Sequence, residues 1–217
     1  MEYKTRAQIV ADQIRQLILS GEIPGGQPLR QTALADQLNV SRIPVREALL
    51  QLEAEGIVKF EAHKGAVATE LSAKECRELF ELRAMIEADA LKHAISNQTD
   101  DDLAIAEHKL QQLDQLLESG TSIDRWSDLN FEFHYALYVA ADRPLTLEMI
   151  KSLNSSSARY IRLQLLINNG IPQAEEEHRQ LLELCRKKDK QAACKLIKRH
   201  IKEAGKDIAN LIAKQLA

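Results

Sequence analysis

The chain has 217 residues, 45% of them hydrophobic and 28% charged, a balance that can bury a core without metal or disulfide staples, and with 4% aromatics that core is aliphatic. The net charge is -3, and residues 1–70 hold eight Lys/Arg against nine Asp/Glu, so bulk charge provides no polyanion-binding footprint. Three widely spaced cysteines, Cys76, Cys185 and Cys194, contain no C-x-x-C and argue for a reducing compartment; no window approaches the ~20 apolar residues of a membrane span, so a cytoplasmic, non-exported protein is expected.

Ile9, Val10, Ile14, Leu17 and Ile18 recur at helical spacing and predict a helix over about 5–20, stopped by Gly21 and the Pro24-Gly25-Gly26 and Pro28 tract. A short helix follows over about 31–38, ending at Asn39, and Ser41 is the expected N-cap of a third helix containing Val45, Ala48, Leu49 and Leu52. Pro44 falls in the first turn, where its missing N–H costs nothing. Two helices so closely spaced are a helix-turn-helix signature. Gly56 ends the third helix, and Ile57-Val58-Lys59-Phe60, His63-Lys64-Gly65 and Ala66-Val67-Ala68-Thr69 read as strand, turn and strand, the hairpin of a wing.

Ser72 and Glu75 form a capping box that opens a long helical run, with helices over about 72–96, 100–118, 123–140, 145–167, 172–187 and 190–215. The breaks are Asn97, Gly120, Pro144, Asn168-Asn169-Gly170 with Pro172, and Lys188-Asp189. The expected fold is mainly α: a winged helix-turn-helix domain over residues 1–70, then an antiparallel all-α helical bundle over 71–217. Leu79, Leu82, Met85 and Ile86, like Leu110, Leu113, Leu116 and Leu117, read as core stripes. The basic run from Arg186 through Lys206 reads as a solvated face.

Arg42 and Arg46 lie four residues apart, about 40° around a helix, near the N-terminus of the third helix. A recognition helix enters the major groove by that end, where arginine can pair bidentately with guanine. The competing reading is two solvated surface arginines. In the second domain, Asn130 and His134 share a helix face and His178 and His200 lie on two later helices, so three imidazoles and an amide oxygen could converge on a divalent metal. Six histidines in 217 residues often include three that look arrangeable, and spacing alone leaves polar histidines at the core edge as the simpler reading.

Gly21-Glu22-Ile23-Pro24-Gly25-Gly26-Gln27-Pro28-Leu29, the run from Leu34 through Ser41-Arg42-Ile43-Pro44-Val45-Arg46-Glu47-Ala48-Leu49, and Leu52-Glu53-Ala54-Glu55-Gly56-Ile57-Val58 together resemble the GntR family of transcriptional regulators. The resemblance implies operator contacts by Arg42 and Arg46 and approach of the wing tip, Lys64 and Gly65, to the minor groove. Some members place a DNA-contacting arginine where this chain has Thr32, with Arg30 nearby as a substitute phosphate contact. Glu81-Leu82-Arg83 with Glu87, Asn130-x-x-Phe133-His134, Glu177-His178 and Lys198-Arg199-His200 resemble the FCD ligand-binding domain of the FadR subfamily. Metal-binding members supply an acidic residue and three histidines at these positions, which implies a zinc, nickel or manganese site of Asn130, His134, His178 and His200. Asn130 replaces the commoner Asp, which removes a negative charge. Asp128 lies about 240° around the helix from His134 and is no replacement.

Three histidines and one oxygen leave open positions on an octahedral ion, which suit a carboxylate effector clamped at its far end by Arg83. The alternative for Arg83 is a surface i,i+4 salt bridge with Glu87; Arg159 is a second effector candidate. The expectation is a repressor that binds a two-fold operator as a homodimer, answers to a small organic acid and makes no membrane contact. Two other readings are a metal-dependent hydrolase, for which H-E-x-x-H is missing, and a regulator with a ligand-free structural bundle.

Overall fold

The computed structural model describes residues 5–19, 22–119, 123–168 and 172–215 and divides into two compact units, Met1–Ser72 with Leu211–Ala217, and Ala73–Asn210. In the first unit, α1 (Arg6–Leu19) buries Val10, Ala11, Ile14 and Ile18, the row that helical spacing places on one face. It packs against α3 (Arg42–Ala54), whose Val45, Ala48, Leu49 and Leu52 are buried, while α2 (Gln31–Gln37) contributes Leu34 and Ala35. Asn39 takes φ 54°, a left-handed conformation that asparagine tolerates, and so turns the chain between α2 and α3.

Ser41 occupies the N-cap position with extended backbone, but its side chain makes no capping hydrogen bond, contrary to the expectation from its type. At the other end Gly56 adopts φ 74° and the Ile57 N–H bonds to the Leu52 carbonyl, so the glycine stop operates as expected. Strands β1 (Val58–Glu61) and β2 (Gly65–Ala68) pair antiparallel with Lys59 opposite Val67 and Phe60 opposite Ala66. Residues 26–29 bond along the other edge of β2, through Leu29 N–H to the Ala66 carbonyl and Ala68 N–H to the Gln27 carbonyl.

Arg15 of α1 and Glu55 at the end of α3 are both buried and joined through Arg15 Nε (2.9 Å) and Nη2 (2.6 Å), with Gln51 Nε2 donating to the same carboxylate at 3.0 Å. The pair fastens the first helix to the third.

The described residues of the second unit form helices joined by short turns: α4 (Ala73–Asn97), α5 (Asp100–Ser119), α6 (Ile123–Tyr138), a 3-10 turn at Val139–Ala141, α7 (Pro144–Asn168), α8 (Pro172–Arg186) and α9 (Lys190–Gln215), of which the residues to Asn210 belong to this unit. Thr99 and Asp102 cap α5 reciprocally, Thr99 N–H to Asp102 Oδ2 at 2.9 Å and Asp102 N–H to Thr99 Oγ1 at 3.3 Å. Lys188, at φ 54°, turns α8 into α9 where the break was expected. The lysines and arginines of the last two helices are exposed, as a solvated face requires. No helix among the described residues is long and apolar enough to cross a membrane.

The expected core stripe on α4 needs correction. Leu79 is buried, but Leu82 and Met85 are 39% and 53% exposed. The inward stripe runs instead through Cys76, Phe80, Arg83, Ala84, Glu87, Leu91 and Ile95, so two charged residues occupy core positions and two apolar ones face outward.

Gly205 of α9 is where Phe80 of α4 seats: a Cβ built there would lie 2.4 Å from the Phe80 Cβ. Gly205→Ala is therefore expected to lower stability by about 1–3 kcal/mol, the usual result of overpacking a filled site, as measured by chemical denaturation of the full chain.

Candidate metal centre and nucleic-acid interface

His134 comes from α6, His178 from α8 and His200 from α9, and one potential ligand atom from each lies within 4.8 Å of the others. Ring centroids are 4.8 Å apart for His134 and His178, 5.3 Å for His134 and His200, and 5.0 Å for His178 and His200. Asn130, one turn before His134, is also buried, whereas Asp128 is exposed and Glu132 pairs with Lys109 Nζ at 2.6 Å. Asn130 Oδ1, His134 Nδ1 and His178 Nε2 are all buried without a hydrogen-bond partner. Buried polar atoms are rarely left so, and three on facing helices fit a shared electrophile such as a divalent cation.

Burial, then the charges of neighbouring imidazoles, holds His178 and His134 well below the usual histidine range, with Arg83 adding to the effect on His134. Both rings are thereby neutral near pH 7, the form that ligates metal. The third ring is oriented differently. Glu177 Oε2 lies 2.7 Å from His200 Nδ1, while Arg199 Nη2 donates to Glu177 Oε1 at 2.9 Å. A carboxylate that accepts from Nδ1–H leaves Nε2 as the lone pair for a metal. Bonding to His200 and Arg199 lowers the Glu177 pKa and keeps it ionised. Glu177 directly precedes His178 in the sequence, a position that by itself does not indicate this role.

Arg83 departs from the surface salt-bridge reading. The i,i+4 pair with Glu87 forms, Nε to Oε1 at 2.9 Å, but both residues are buried, at 5% and 2% exposure, and not on the surface. Arg83 Nη1 also donates to Ser157 Oγ at 3.0 Å, and Tyr138 O–H donates to Glu87 Oε2 at 2.9 Å. The Tyr138 ring stacks on His134 with centroids 6.4 Å apart. A hydrogen-bonded row thus runs from Tyr138, whose ring lies against His134, through Glu87 to Arg83 and Ser157. Tyr138 stands four residues after His134, a spacing that could have flagged it. Arg159 of α7 reaches Glu75 Oε1 at 2.6 Å and lies over the Tyr160 ring; its Nε is buried without a partner.

In the first unit Arg30, Thr32, Arg42, Arg46, Lys64 and Gly65 are all exposed. Arg42 opens α3 and Arg46 follows one turn later on the same face. At the wing, His63 and Gly65 take positive φ, and Lys64 Nζ is paired with Glu61 Oε2 at 2.8 Å, so the expected wing cation carries its own counter-charge.

Residues 6–67 match the bacterial regulatory proteins of the gntR family, and residues 78–203 match the FCD domain. The chain belongs to the GntR family of regulators that carry an FCD domain. An uncharacterized HTH-type transcriptional regulator of Bacillus subtilis, YdhC, is 28% identical over 211 residues, 90% of this chain and 92% of the relative. The HTH-type transcriptional repressor GlaR of Escherichia coli is 27% identical over 191 residues, 85% of this chain and 87% of the relative. A solved GntR family member from Pseudomonas syringae pv. tomato is similar at TM-score 0.59 and 29% identity, over 97% of this chain and 87% of that one. The GntR regulator described here therefore has a DNA-binding domain followed by a ligand-binding FCD domain. Its family and relatives are regulators and not enzymes, which sets aside the hydrolase alternative.

Proposed function

We propose that this regulator is a cytoplasmic, metabolite-responsive repressor of the FadR type, binding a two-fold operator as a homodimer and holding a divalent metal at Asn130, His134, His178 and His200. The observation that carries the metal reading is the set of buried, unpartnered atoms on Asn130, His134 and His178 beside a His200 ring already oriented by Glu177. Zinc, nickel and manganese are the candidate ions, and the imidazole-rich donor set suits zinc or nickel more than a hard, oxygen-seeking cation. Bound there, the ion supplies a cationic anchor for a carboxylate.

The effector is a small organic acid whose carboxylate meets that anchor. Arg83 Nε and Nη1 are committed to Glu87 and Ser157, so a second anionic group reaches Arg83 through Nη2. Arg159 serves as an outer contact, since its Glu75 pair is partly exposed. Calorimetry with mono-, di- and hydroxy-carboxylates, with and without chelator, tests this: binding should need the metal. Equal affinity for the chelated protein would favour a bundle with no metal-borne sensor. To control transcription, a 100-fold change in DNA affinity requires about 2.7 kcal/mol of differential ligand binding.

For the operator, Arg42 and Arg46 contact base edges, Lys64 and Gly65 lie at the minor groove, and Arg30 with Thr32 meets phosphate. Arg46→Ala is expected to cost about 1–3 kcal/mol of specific binding and relax one base preference per half-site. Lys64→Ala should weaken binding to all sequences and reduce the salt slope by about 1. Salt-titrated gel shifts on operator and scrambled DNA decide between these patterns; unchanged discrimination by the Arg46 variant would refute the assignment. Two-fold binding calls for a dimer, and the exposed Leu82 and Met85 on α4 with Leu145 and Met149 on α7 offer an apolar surface for it.

A further inference from the structure

The core face of α3 is carried by Val45, Ala48, Leu49 and Leu52, each at 0% exposure. At about 100° per residue these four centre roughly 190° around the helix from Ile43, so Ile43 is directed most squarely away from the core. It is 70% exposed and stands second in the helix, at the end through which a recognition helix enters the groove. Arg46 lies about 60° to one side of it and Arg42 about 100° to the same side. A large β-branched apolar side chain therefore projects beside two exposed guanidiniums and buries little against its own unit.

Among the features a base pair displays in the major groove, the thymine C5-methyl is the apolar one, and it is read by apolar contact. We infer that Ile43 contacts a thymine methyl in each operator half-site, next to the base read by Arg46, and so determines the preference for thymine at that position. This rests on the reading of α3 as the groove-entering helix. Leu50, 49% exposed, lies about 20° from Ile43 but two turns farther along, so the same ridge could instead meet protein. Arg42 and Arg46 to one side of Ile43, against Glu47 about 40° to the other, leave a net positive face that favours a polyanion over an apolar partner.

The test uses the full-length protein and duplexes selected by it from a random library. Each thymine of the selected site is replaced in turn by deoxyuridine, which removes only the methyl, and each guanine by 7-deazaguanine, which removes only N7. The expected result is one thymine per half-site whose replacement weakens binding about fourfold, equivalent to ~0.8 kcal/mol for a buried methyl-sized group. That sensitivity should vanish in Ile43→Ala and Ile43→Ser and persist in Ile43→Val, with guanine sensitivity unchanged in all three. A flat deoxyuridine profile, or a profile that Ile43→Ala leaves unaltered, overturns the Ile43 assignment while guanine sensitivity removed by Arg46→Ala preserves the placement of α3. Guanine and thymine profiles that are both flat, or a library that yields no selected site, overturn both. A change in sedimentation with an unchanged thymine profile in Ile43→Ser would assign the ridge to protein contact and also overturn the inference.

Discussion

Glu87→Ala is expected to lower the stability of the second unit by about 3–5 kcal/mol, because it leaves the Arg83 guanidinium buried without its counter-charge. The variant also removes the acceptor of the Tyr138 hydroxyl, itself fully buried, so a second polar group is orphaned. Urea denaturation followed through the single tryptophan, Trp126 on α6, reports on this unit. The double variant Arg83→Met with Glu87→Met should be much less destabilised than Glu87→Ala, since replacing both members of a buried pair avoids leaving one charge alone. A loss below about 1 kcal/mol in Glu87→Ala, the range of solvent-exposed pairs, would show that Arg83 and Glu87 are accessible to water. This measurement bears on function as well. Under the proposed effector role, an Arg83 held this firmly is oriented before the ligand arrives, at the expense of accessibility.

The contrast between the two residues of that pair and their neighbours shows what the sequence could and could not express. Helix ends were legible because they are written in local chemistry: Gly56 and Asn39 take the positive φ that their types tolerate, and Lys188, an ordinary residue at φ 54°, sits where the pattern broke. The face that α4 turns inward was not legible. Hydrophobic periodicity places Leu82 and Met85 in the core and gives no reason to bury Arg83, which is buried because Glu87 and Ser157 accept from it and Tyr138 in turn donates to Glu87. Ser157 and Tyr138 lie on other helices, each more than fifty residues from the group it bonds, and nothing local announces them. Ser41 shows a smaller failure: its type suits an N-cap, but the side chain takes no part, so only its position was correctly read.

The histidines show how a site can be half legible. Asn130 and His134 share a face by simple spacing, with His178 and His200 as candidates on two later helices that the resemblance to FCD domains singles out, but only the packing of α6, α8 and α9 brings the rings together. Glu177 was visible as the residue before His178, yet on an isolated helix neighbours in sequence diverge by about 100°. Its role emerges from α9 presenting His200 and Arg199 to the same carboxylate.

Removal of metal is expected to lower thermal stability, since an ion that binds only the folded state stabilises it by about 2.7 kcal/mol at a free concentration 100 times its Kd. For a chain of this size each kcal/mol is worth about 2–4 °C, so chelation should shift the melting temperature of zinc- or nickel-loaded protein down by about 5–11 °C. His134→Ala, His178→Ala and His200→Ala should each abolish stoichiometric binding, because each removes one of three converging imidazoles. Glu177→Ala should retain binding but weaken it by about 10–100-fold, the usual effect of losing a carboxylate that orients a ligating histidine, and Glu177→Gln should restore part of that loss by keeping an acceptor at Nδ1. Asn130→Asp is expected to tighten the site, since it places a charge on the buried oxygen that now lacks a partner. Trp126 lies two turns before His134 on α6, so quenching of its fluorescence by nickel provides a readout independent of melting. Equal metal content in wild type and the three histidine variants after identical dialysis, with no chelator effect on melting, would show that the cluster is a polar core and that the effector must be held by other means.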